Sequence, residues 1–238
     1  MEETDPLNWS EVNRIIQSLP CSDGLLQRLA DCAQLDADAN VLELANSLSF
    51  SAQCWVSMFG SAVEVVSVES FFASSGAADV LTTASRAAGG QRYDGVLWSL
   101  TEPLVAASLE SACQKIREAL NVDGCLMLSV PVRLGSKPST EVGAFYAEFG
   151  AQPMLPQEVV CSLEQSGFEP LRIEAPPSRP ILARYRMIES ALERCASVDE
   201  STKNRWKREI KLFLNEGGTT FSPSTVFLAR RWEYVDES

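Results

Sequence analysis

Side chains near the ends of apolar runs carry what chemistry this sequence offers. Glu43 closes the run VLEL, and Ala45, Asn46, Ser47 and Ser49 follow it in the turn ANSLS. Glu69 closes a second run, AVEVVSVE. A carboxylate accepts hydrogen bonds from a ligand's donors, and hydroxyl-bearing turn residues can donate to ligand oxygens. A third run, YDGVLWSL, leads through Ser99 into Thr101 and Glu102 before Pro103; these three are placed to face a substrate, and Glu102 becomes a general base if burial raises its pKa. The plainer reading of each acid is a cap on the following helix. No histidine exists among the 238 residues, which excludes Ser–His and Cys–His nucleophile pairs, imidazole bases and His-ligated metals. The seven cysteines are dispersed without a CxxC pair, so neither a zinc site nor a disulfide framework is expected. They read as small core residues of a reducing cytoplasm.

These residues need elements to hold them. Helical periodicity covers residues 9–35, with Ser10 a candidate N-cap and a break at Pro20. Apolar or β-branched runs at 41–45, 63–68, 93–100 and 125–132 read as strands, and 51–59, 72–88 and 104–120 as the helices between them. Alternation of this kind implies βαβ units, a mostly parallel sheet and helices on both faces. A helix beginning near Pro156, a stop at Gly167 and a strand at 170–174 follow. Two more helices, 181–196 and 201–215, with Asp199 as N-cap of the second, precede a last strand at 224–232. The expectation is a single α/β domain over 1–238. It comprises N-terminal helices (1–35), a Rossmann-like core (36–175), a helical insertion (178–218) and an antiparallel last strand (219–238).

A net charge of −12 disfavours nucleic acid and anionic membranes as partners, because phosphate neutralisation needs excess Lys and Arg. No apolar run is long enough for a membrane span, and MEETDPLNW has no secretory signal character. Charge is uneven, however. Between Arg179 and Lys211, nine Lys and Arg stand against five acids. That insertion is a candidate surface for a protein partner or a small anionic substrate, against the plainer reading of a solvated helix with pairs such as Arg205–Glu209.

The order of these pieces resembles the class I S-adenosylmethionine-dependent methyltransferase family. VLELANSLSF lies where that family has an acid-ended strand and a GxGxG turn, and VSVES places Glu69 at its second acid. YDGVLWS, ALNVDGCLMLSVP and LPQEVVCSLEQSGFEPLRIE resemble its later strands and helices. The resemblance implies S-adenosylmethionine as cofactor, with Glu43 toward its amino acid end, Glu69 toward its ribose, and Ala45, Asn46, Ser47 and Ser49 in the turn against it. Ala45, Ser47 and Ser49 stand where the family has its three glycines, and each added side chain fills space the ligand needs. The interval from Glu69 to Tyr93 is short for a helix plus a third strand, so the adenine contact is expected to be lost. Glu102-Pro103 also departs from the tetrapeptide of the amino-methylating members. Two functions remain open: a catalytically silent binding or regulatory subunit with weak or no cofactor binding, and an active divergent methyltransferase on a small or carrier-bound substrate. In either case the insertion is expected to lie over the cleft above Ser47 and Glu102. Ile181, Leu182, Tyr185, Ile188, Leu192, Ile210, Phe213 and Leu214 then face inward.

Overall fold

A computed structural model describes residues 9–16, 23–36, 38–45, 49–59, 62–73, 92–100, 104–135, 137–217 and 219–233. Six strands form one sheet: β1 (Asn40–Leu44), β2 (Ala62–Val66), β3 (Tyr93–Ser99), β4 (Leu120–Arg133), β5 (Phe168–Glu174) and β6 (Phe221–Arg231). Their order is β2-β1-β3-β4-β6-β5. The first four run parallel, whereas β6 is antiparallel to both β4 and β5. The expected mostly parallel sheet with an antiparallel last strand is therefore present. Central strands read as nearly unbroken apolar runs because helices cover both faces.

On one face, α2 (Asp23–Ala33) and α3 (Phe50–Phe59) bury Leu26, Leu29 and Trp55 against Val41, Leu97, Met127 and Leu228. On the other lie α4 (Val68–Ala73), α5 (Ala106–Ala119) and α7 (Pro156–Gln165). These cover Leu42, Val96, Leu126 and Leu128 with Phe71, Ile116 and Leu163. Alternation along each strand separates the two sets. Gly167 ends α7 at φ 79°, the left-handed conformation that favours glycine.

A third cluster sits at the carboxyl edge of the parallel strands. There α1 (Trp9–Ile16), α6 (Thr140–Ala147), α8 (Ser178–Arg194) and α9 (Glu200–Glu216) gather around Phe221, whose partner is Arg133 at the end of β4. Asp199 caps α9 by accepting from Thr202 N at 2.8 Å, as the sequence indicates. The insertion thus packs at the carboxyl edge; the expected cover above Ser47 and Glu102 concerns residues outside the described ones. Ile181, Tyr185, Ile188, Leu192 and Phe213 are buried, and Leu182 and Ile210 partly so. Leu214 is a correction: it is 63% exposed, because the inward stripe of α9 runs through Trp206, Glu209, Leu212 and Phe213. Arg184, one of the nine cations of the insertion, is buried and donates to the carbonyl of Ile16. It ties α8 to the end of α1.

Boundaries differ in two informative places. Strand β2 stops at Val66, earlier than the sequence suggests, because Ser67 Oγ accepts from Ser70 N at 3.1 Å and starts α4. Strand β4 begins at Leu120, but its register with β3 shifts before Gly95↔Cys125, and Asp123 takes φ 65° in the intervening bulge. The expected helix at 72–88 and the lost third strand fall mainly on residues 74–91, outside the described residues.

Candidate functional site at the carboxyl edge

Ligands of open α/β sheets bind beyond the carboxyl ends of the strands. At that end of β1, residues Val41 through Ala45 are all buried. Glu43 is 4% exposed, and both of its carboxylate oxygens are engaged by one residue. Ser49 N donates to Oε2 at 3.0 Å, and Ser49 Oγ donates to Oε1. Ser49 is at the same time the N-cap of α3: its Oγ accepts from Ala52 N at 3.2 Å, and its carbonyl accepts from Gln53 N at 3.0 Å. The carboxylate therefore lies at the positive end of α3. Burial pushes the Glu43 carboxyl above its ordinary pKa, with the two Ser49 bonds opposing that rise.

Ala45 is 2% exposed and its amide donates to Val66 O at 3.0 Å, prolonging the β1–β2 ladder by one step. Neither Ala45 nor Ser49 has a positive φ. The backbone at these two positions is one that any residue adopts, so nothing about it requires glycine. Asn46 and Ser47, the other turn residues singled out, lie outside the described residues, as do Thr101 and Glu102.

Glu69 is a correction of position. It stands in the first turn of α4, exposed, three residues past the end of β2. The helix start at Ser67 places it in the first turn of α4 rather than in the strand. The structure thus brings Glu43, Ala45 and Ser49 to the end of β1 and places Glu69 on α4.

Further along the edge is a group that the sequence reading did not single out, apart from Ser99. Ser99 ends β3 half-buried and pairs in register with Ser129. Ser129 Oγ and Ser224 Oγ, both buried, are hydrogen-bonded to each other across β4 and β6. Strand alternation puts Ser99, Ser129 and Ser224 on the same sheet face as Glu43. Their signal in the sequence was hydroxyls inside otherwise apolar strands, CLMLSVPV and SPSTVFLAR. On the opposite face Trp98 is buried beside Phe72, ring centroids 5.5 Å apart, and its Nε1 has no hydrogen-bond partner among the described residues. At the amino edge of the sheet, a groove of about 310 Å3 is lined by Asp36, Asp38, Asp94 and Asp123, far from this site. Among the described residues no group of three or more Cys, Asp or Glu is arranged to hold a metal, and no helix is long and apolar enough to cross a membrane.

No protein-family model matches the chain, and no curated protein matches its sequence. Solved structures do. A candidate sarcosine dimethylglycine methyltransferase from Galdieria sulphuraria matches with a TM-score of 0.60 at 15% identity, over 88% of this chain and 85% of that one. The cyclopropane synthase MmaA2 from Mycobacterium tuberculosis matches with 0.58 at 14%, over 86% and 83%. A geranyl diphosphate C-methyltransferase from Streptomyces coelicolor A3(2), solved with geranyl diphosphate and S-adenosyl-L-homocysteine, matches with 0.53 at 15%, over 87% and 78%. Together with the strand order, these likenesses show that the chain has the fold of the class I S-adenosylmethionine-dependent methyltransferases.

Proposed function

We propose that this chain is a methyltransferase-like binding or regulatory subunit whose S-adenosylmethionine site is degenerate, so that the cofactor binds weakly or not at all. The observation that carries the reading is the use of Glu43. Its two oxygens are both taken by Ser49, so the acid acts as part of the α3 cap rather than as a free ligand group. Ala45 adds support by placing a buried methyl group, and an amide already bonded to β2, in the turn. Glu69 is exposed on α4 and contributes no carboxylate at the end of β2.

A second reading, an active divergent methyltransferase on a small or carrier-bound substrate, draws on the Ser99–Ser129–Ser224 hydroxyls, which supply polar groups where an acceptor would sit. Thermal unfolding with S-adenosylhomocysteine separates the two. With ligand at about 100 μM and a dissociation constant weaker than that, stabilisation stays below about 0.4 kcal/mol, an almost unmoved melting temperature. An upward shift of several degrees at that concentration favours the enzyme.

A further inference from the structure

We draw no further inference here: the strongest candidate, the groove at the amino edge of the sheet lined by Asp36, Asp38, Asp94 and Asp123, is a cluster of acidic residues in which Asp36 and Asp94 already accept hydrogen bonds from Asp38 N, Asn40 N and Asn121 Nδ2, and no second observation among the described residues points to a ligand there.

Discussion

Glu43 is a buried carboxylate whose hydrogen-bond partner among the described residues is Ser49, and that makes Ser49 the more sensitive of the pair. Ser49→Ala removes the N-cap of α3 and strips a hydrogen bond from a buried anion, so we expect a loss of about 2 kcal/mol in denaturant unfolding. Glu43→Gln keeps an acceptor for Ser49 N and removes the charge, and its stability at neutral pH should lie within about 1 kcal/mol of the wild type or above it. The pH dependence has a definite sign. The folded carboxyl sits above its ordinary pKa, so the native state holds the proton longer than the unfolded chain does. Its contribution to stability is full below the ordinary carboxylate range and is lost as pH rises through the raised folded value. Unfolding of wild type and Glu43→Gln from about pH 4 to 7 should show that slope in the wild type only. The sequence indicated an acid at the end of β1 and offered capping and ligation as its two uses. It did not show which, because the contact joins residues six apart across a turn and follows no helical or strand period. Ser129 and Ser224 were hidden for a related reason, being partners across two strands that are distant in sequence.

At the scale of elements, periodicity served well and partners did not follow from it. The helices of the insertion, the Asp199 cap and the Gly167 stop were legible, since each depends on residues within one or two turns. What α1 packs against was not legible. An eight-residue amphipathic helix announces an apolar face, and only the fold shows that α8 covers it. Leu214 was misjudged because Leu212, Phe213 and Leu214 form one apolar run, and a helix cannot turn all three inward. Glu69 was misplaced because SVES reads equally as a strand end and as the capped first turn of α4. Two substitutions test the elements. Gly167→Ala sets a Cβ at φ 79° only 2.7 Å from Arg117 Nε, and should cost about 1–2 kcal/mol in unfolding free energy, with some relief as Arg117 shifts. Tyr185→Phe takes the hydroxyl from the buried Glu209 carboxylate and should cost about 1–3 kcal/mol. Faster amide exchange in α8 and α9 than in β4 would locate that loss in the insertion; uniform exchange would place it elsewhere. Excising residues 178–216 removes the cover from Phe145, Tyr146 and Phe221, and should produce strong binding of a hydrophobic dye.

For the whole molecule, strand order and layering follow the methyltransferase fold, while at the carboxyl end of β1 Glu43 and Ser49 are hydrogen-bonded to each other. Fold and activity are separable in principle, because the sheet is set by apolar runs and a site by a few turn residues. Restoring glycine at Ala45, Ser47 and Ser49 together should therefore lower stability, through the added entropy of the unfolded chain and the lost cap on α3, without producing cofactor binding. Recovery of tight binding in that variant would mean that the turn alone had closed the site. The most direct measurement is calorimetric titration of the wild-type chain with S-adenosylmethionine and with S-adenosylhomocysteine. A dissociation constant weaker than ~100 μM, or no heat at all, is the predicted result. A low-micromolar constant would contradict it, since Glu43 would then have to leave Ser49 for the ligand at no visible cost.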